Sequence, residues 1–198
     1  MLDIIMFFLI LTTFERRNTM GQRTQLVVKV TECIVSYNNP KPEFKTHTAS
    51  YHNQWGLAKM QLKDIINLLN SYIDYNEYKF PDKLHKGWKL DEDEKCTDLT
   101  PEGVAEYLSH QDNNDGGAFL EINVKQGEIV NGNLILYSDP ESERSCKIYG
   151  DNIVPYVSLK NYIKFHPHYY DKGFYMMFLT TLKYHNIKII TKPIDEGE

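Results

Sequence analysis

The segment YHNQWG at residues 51–56 holds the closest grouping of side chains that could take part in chemistry. It offers an imidazole, two amides and an indole at a predicted strand-to-helix junction, and loops on rigid scaffolds often carry function. His52 is a candidate general base, although no nucleophile stands near it in the sequence. Alternatively, Trp55 fills the core and Gly56 lets the chain turn. We therefore expect His52, Gln54 and Trp55 to form part of a binding loop or, as an alternative, of a catalytic one.

The segment DNNDGG at residues 112–117 is the second polar grouping. Its carboxylate and amide oxygens suit Ca²⁺ or Mg²⁺, but the spacing of an EF-hand loop is absent. Asn and Gly tolerate a positive φ and Asp bonds its own backbone, so a turn between a helix and a strand explains the same residues. Asp112 and Asp115 are candidate contact residues for a partner. In a hydrolase-like enzyme, either carboxylate would act with His52.

The distribution of charge favours contact with a protein over contact with nucleic acid. The 198 residues carry a formal charge of −5, whereas strong phosphate binding needs clustered Lys and Arg. An acidic run in a predicted loop suits a basic partner by charge complementarity. Arg23, on the opening strand, is a candidate interface anchor. The acidic run consists of Asp91, Glu92, Asp93 and Glu94.

The cysteines and histidines form no recognisable disulfide or metal pattern. Cys33, Cys96 and Cys146 are widely spaced and include no CxxC pair, which is typical of reduced thiols in a cytosolic protein. The histidines lack the helical i,i+4 spacing of zinc sites, and a proline separates the two histidines of the HPH segment at 166–168. The sequence therefore predicts neither a metal nor a cofactor.

The periodicity of apolar residues predicts an α+β order of elements. Apolar side chains recur every three or four positions over 57–75, which indicates an amphipathic helix. Thr100 and Asp171 are predicted N-caps of two further helices, with Pro101 in the first turn of the earlier one, and a short helix is predicted at 159–165. Predicted strands lie at 22–36, 44–52, 118–125, 134–137, 148–157 and 187–190. This order favours a single domain in which helices pack on one face of an antiparallel sheet.

The ends of the chain differ in character from its body. Residues 4–11 are apolar, but the run is too short to span a bilayer as a helix, which needs about 20 residues. The run also lacks the preceding positive charge and the cleavage site of a secretory signal. We expect 1–19 to be an upstream extension or a mis-assigned start, with Met20 as the working start, or alternatively a weak membrane anchor or a packing segment. The body is expected to be cytoplasmic in each case. The α+β domain is expected over 20–192, followed by a flexible tail over 193–198.

Three segments together, GQRTQ at 21–25, YHNQWG at 51–56 and DNNDGG at 112–117, resemble a group of small proteins encoded by bacteriophages and mobile elements. Proteins of this origin include anti-CRISPR proteins that block Cas9. The resemblance implies an interaction protein that binds and inhibits a host protein or nucleoprotein, without catalysis, in the host cytoplasm. It assigns a role to no individual residue. The alternatives are a hydrolase-like enzyme and a structural virion component, which would form a symmetric oligomer.

Overall fold

The computed structural model describes residues 23–36, 39–54, 59–71, 80–111, 114–165 and 171–192. Within these residues lie the strands β1 (Arg23–Ser36), β2 (Asn39–Gln54), β3 (Gly87–Lys89), β4 (Asn114–Lys125), β5 (Glu128–Leu136) and β6 (Ile187–Ile189). The same residues contain the helices α1 (Lys59–Asn70), α2 (Pro101–Ser109), α3 (Glu143–Tyr149), α4 (Leu159–Phe165) and α5 (Lys172–Tyr184). The leader predicted at 1–19 and the tail predicted at 193–198 are outside them.

The six strands form one mixed sheet in the order β3-β2-β1-β4-β5-β6. The pairs β1–β2, β2–β3 and β4–β5 are antiparallel, while β1–β4 and β5–β6 are parallel. The predicted α+β class is therefore confirmed, but the prediction of an antiparallel sheet is wrong. The physical reason is the long stretch of chain between β2 and β4, since a crossover of this kind lets a strand return parallel to an earlier one.

Both faces of the sheet are covered, so the prediction that helices pack on one face is also wrong. Leu26 and Val28 belong to the core of the first face, which helices α1, α4 and α5 cover. Val27 points to the opposite, second face, where α2 contributes Val104 and Leu108. Strands buried on both faces are apolar throughout rather than alternating, which explains the continuous run LVV at the centre of β1.

The ends of the helices follow the caps expected from the sequence. Helix α2 begins after Thr100, whose Oγ1 accepts a hydrogen bond from the backbone N–H of Gly103 at 3.0 Å. Helix α5 begins after Asp171, whose carboxylate accepts one from the N–H of Phe174 at 3.0 Å. Such caps satisfy N–H groups that have no partner inside the helix. Both predicted N-caps and the short helix at 159–165 are confirmed.

The strand predicted at 148–157 is wrong. Helix α3 extends to Tyr149, and Gly150 then ends it with a φ of 73°, a backbone conformation that suits glycine. The chain beyond it is irregular, although the N–H of Val157 still donates to the carbonyl of Leu136 at 2.9 Å. Residues 152–157 are rich in β-branched and aromatic side chains, and they bond to the end of β5 without forming a strand of their own.

Candidate functional site

Seven carboxylates lie along residues 91–106, and all of them are exposed. The only cation in this stretch is Lys95, so seven negative charges and one positive charge give a formal charge of −6. Lys95 is paired with Glu92, and the Asp98 carboxylate accepts hydrogen bonds from the N–H and the hydroxyl of Thr100. We name this surface the acidic face; it consists of Asp91, Glu92, Asp93, Glu94, Asp98, Glu102 and Glu106.

The backbone of the acidic face is fixed to the sheet and to α2. The carbonyl of Ser50 in β2 accepts the N–H of Leu90 at 2.8 Å, and the Ser50 hydroxyl accepts the N–H of Cys96 at 3.0 Å. The hydroxyl of Tyr107 in α2 donates to the carbonyl of Glu94 at 3.0 Å. These bonds hold both ends of residues 90–96, so the run of four carboxylates is displayed from a defined backbone rather than from a loose loop.

Trp88 lies beside the acidic face and is a large apolar side chain that the sheet does not cover. It stands in β3 directly opposite His52 of β2, and 48% of its surface is exposed. A single exposed apolar residue is ordinary, but tryptophan is the residue most enriched in the centres of protein interfaces. An exposed indole next to clustered carboxylates is therefore a candidate contact point.

His52 is set in a polar cluster at the same edge. Its Nδ1 lies 2.7 Å from Nε2 of the Gln25 side chain, its neighbour across the β1–β2 ladder. An amide that donates to Nδ1 leaves the proton of a neutral ring on Nε2. Burial lowers the pKa of His52, and the charge of Arg23 lowers it further, while Glu94 acts in the opposite direction. Burial and Arg23 thus both favour the neutral form of the His52 ring.

Among the residues that the structure describes, none near His52 is an activated nucleophile. The hydrogen bond at its Nδ1 is made with an amide, which cannot attack a substrate. Cys96, nearby on the second face, is 2% exposed, and burial raises the pKa of its thiol to about 11. A thiol that stays protonated at neutral pH is a weak nucleophile. The described residues around His52 thus suit contact and positioning better than covalent chemistry.

The structure brings together several residues that the sequence separates. Arg23, His52 and Glu94 are close enough for their charges to interact, and Gln54 is exposed opposite Arg23 in the β1–β2 register. Leu90, which follows β3, is bonded to Ser50, and the next residues along the chain are Asp91, Glu92 and Asp93.

Other predicted residues lie outside the described part. These are Trp55, Asp112 and the side chain of Asp115. The backbone of β4 begins beside Arg23, because Arg23 pairs with Asn114. The hydrolase-like pairing of His52 with Asp112 or Asp115 stays a prediction, as does the virion component.

Trp88 is a candidate contact residue that the sequence analysis did not identify. The signal available was an apolar side chain between Lys86 and Lys89 in a stretch otherwise rich in charge. Its exposure depends on β3 being only three residues long and lying at the edge of the sheet, which no local pattern specifies.

Within the described ranges, no group of three or more His, Cys, Asp or Glu side chains is placed to hold a metal ion. The histidines occupy separate environments: His52 contacts Gln25, while His185 lies 3.3 Å from the amide oxygen of Asn70. None of the helices in that part of the chain has the length and apolarity needed to cross a membrane.

Comparison of the chain with protein-family models, with curated proteins and with solved structures finds no match. The resemblance to phage and mobile-element proteins therefore stays a prediction. The geometry of the acidic face and of the residues around it is what a functional proposal has to rest on.

Proposed function

We propose that this protein is a non-catalytic interaction protein that binds the basic surface of a partner protein or nucleoprotein. The observation behind the proposal is the acidic face, in which exposed carboxylates project from a hydrogen-bonded backbone beside Trp88. Fixed charges lose little freedom on binding, and complementary charges accelerate encounter. The indole would supply the desolvated centre of the contact and the carboxylates its charged surroundings.

The chemistry of the acidic face favours a protein surface lined with Lys and Arg. Phosphates would be repelled by a stretch with a charge of −6, so direct binding to nucleic acid is disfavoured. A nucleic-acid channel is a suitable target, because it is positively charged along its length. The form of the proposal that agrees with the sequence resemblance is an inhibitor encoded by a phage or mobile element. This inhibitor would occupy such a channel in a CRISPR nuclease of the host, in the host cytoplasm.

The test is binding to guide-free Cas9 nuclease, measured by biolayer interferometry over a range of salt concentrations. The variant D91N/E92Q/D93N/E94Q should bind roughly tenfold more weakly than the unchanged protein, and its binding should depend less on salt. The matched control, E43Q/E128Q/E141Q/D151N, removes four exposed carboxylates elsewhere and should bind normally.

Two results would count against the acidic face. One is unchanged affinity in the first variant, and the other is equal loss in both variants, which would indicate a response to net charge alone. A Trp88→Ala variant separates the two contributions, because it should weaken binding without changing the salt dependence.

A further inference from the structure

Strand β2 continues well beyond the strand that covers its outer edge. β3 pairs with only three of its residues, Tyr51, His52 and Asn53. After Leu90, which bonds to Ser50, the chain turns away into the acidic face. Among the described residues, no strand pairs with positions 43–49 of β2 on the side opposite β1.

The direction of the backbone groups on this edge follows from the antiparallel register. The carbonyl of Ser50 points away from β1, because it accepts the N–H of Leu90. Both backbone groups of a residue in an antiparallel strand point to the same side, and the side alternates along the strand. The register with β1 is unbroken from Glu43 to Gln54, so Thr46 and Thr48 also direct their N–H and C=O groups outward.

A cleft of about 350 Å³ runs along this same part of the edge. Phe80, which packs against the core of the first face, forms one wall. The cleft is also lined by Lys89, by Leu90 and by the ion pair of Lys95 with Glu92. The floor is the edge of β2, made of Thr46, His47, Thr48 and Ala49.

The sequence of the open edge differs from that of a protected one. Edge strands usually avoid pairing with other chains through Pro or charged residues. β2 has such residues near the hairpin, at Lys41, Pro42, Glu43 and Lys45, but the following THTAS at 46–50 contains neither. The unprotected part of the edge is thus the part that lines the cleft.

We propose that this cleft binds an extended peptide segment of a partner protein, which adds to the sheet as a strand in line with β3. Its backbone would exchange hydrogen bonds with Thr46 and Thr48, as in other cases of strand addition. Its side chains would alternate, with an apolar residue against Phe80 on the first face and a neutral polar residue toward the Lys95–Glu92 ion pair on the second. A helix cannot occupy the site in this way, because its own backbone groups are already paired.

The strand-binding cleft is a second contact that goes beyond the acidic face, because its specificity comes from backbone hydrogen bonds rather than from charge. The test is selection of a displayed library of random heptapeptides on the full chain, followed by synthesis of the selected peptides. N-methylation of the peptide residues whose N–H groups face β2 should abolish binding, while N-methylation of the intervening residues should not. Thr48→Pro should lose binding and Thr48→Val should keep it, with folding of each checked by circular dichroism.

Amide exchange measured by NMR completes the test. In the free protein the N–H groups of Thr46 and Thr48 should exchange rapidly, and a bound peptide should slow them about tenfold or more. Peptide binding should survive in D91N/D93N/E94Q, which leaves Glu92 unchanged because that residue lines the cleft, and this result separates the proposal from the acidic face. The proposal is overturned if no selected peptide responds to alternate N-methylation, or if both amides are already protected in the free chain.

Discussion

The carboxylate of Asp64 and those of the acidic face are the same chemical group in opposite settings. Asp64 is fully buried in α1. Its Oδ2 accepts a hydrogen bond from the Asn53 amide, and its Oδ1 accepts the backbone N–H of Lys86 at 2.9 Å. These bonds join α1 to the end of β2 and to the chain that leads into β3. The carboxylates of the acidic face, in contrast, are exposed and contribute little to the packing of the core.

The difference shows that one residue type is buried among hydrogen-bond donors in one place and exposed to solvent in another. Burial raises the pKa of Asp64, while the hydrogen bonds from Lys86 and Asn53 act in the opposite direction. A buried carboxylate is tolerated because donors surround it. Exposed carboxylates are solvated by water and need no donors from the protein, so a separate molecule can bind them. We therefore expect substitutions at Asp64 to change stability and substitutions in the acidic face to change association.

The largest expected effect is on the free energy of unfolding. Asp64→Ala leaves the buried amide of Asn53 and the N–H of Lys86 without an acceptor, and each such group costs about 1–3 kcal/mol. We expect a loss of roughly 2–4 kcal/mol in urea unfolding, compared with about 0.5 kcal/mol or less for Asp91→Ala on the acidic face. Equal losses in the two variants would remove the distinction between the two settings.

A smaller effect is expected in the dependence of stability on pH. Because the pKa of Asp64 is raised from 3.8 in the folded protein, the folded state holds this proton to a higher pH than the unfolded state. Its contribution to stability is complete below pH 3.8 and is lost as the pH rises through the folded-state pKa. Asp64→Asn cannot ionise, so its stability relative to the unchanged protein should improve as the pH rises from about 4 to 7.

Urea unfolding at a series of pH values measures this difference, and Asp91→Asn serves as the control. The difference in unfolding free energy for Asp91→Asn should stay nearly constant over the same range, since its carboxylate is exposed. A constant difference for Asp64→Asn as well would mean that the buried carboxyl titrates as it does in the unfolded chain.

The smallest expected effect concerns the ring of His52, at the edge of the acidic face. Arg23→Gln removes a positive charge that lowers the pKa of His52, so the pKa should rise. The control is Lys29→Gln, which removes a positive charge on the same strand that is paired with Glu121 instead. NMR titration of the imidazole measures both shifts. A pKa that stays fixed in Arg23→Gln would leave burial as the cause of the lowered value.

Local features of this fold could be predicted from sequence, and features that depend on distant pairing could not. The caps at Thr100 and Asp171 and the apolar stripe of α1 are properties of a few neighbouring residues. The parallel pairing of β1 with β4 depends on how the chain crosses the sheet. Composition near a single strand does not encode that crossing.

The candidate site divides in the same way. Exposure of Asp91 through Glu94 could be expected from their charge, and the structure confirms that they lie at the surface. The exposure of Trp88 could not be expected, nor could the length of β2 that no other described strand pairs on its outer side, because both result from where the short β3 begins and ends. Strand ends are set by competing contacts of the whole sheet rather than by local propensity.

The parallel pair at the centre of the sheet also has a consequence for folding on the ribosome. Residues of β1 pair with β4 partners far along the chain, as Val28 does with Leu120, so the hairpin of β1 and β2 emerges well before β4 is synthesised. Contacts between such distant segments form slowly. Until then the side of β1 that pairs with β4 in the folded protein lacks that strand, and we expect the nascent chain to be most prone to aggregation during that interval.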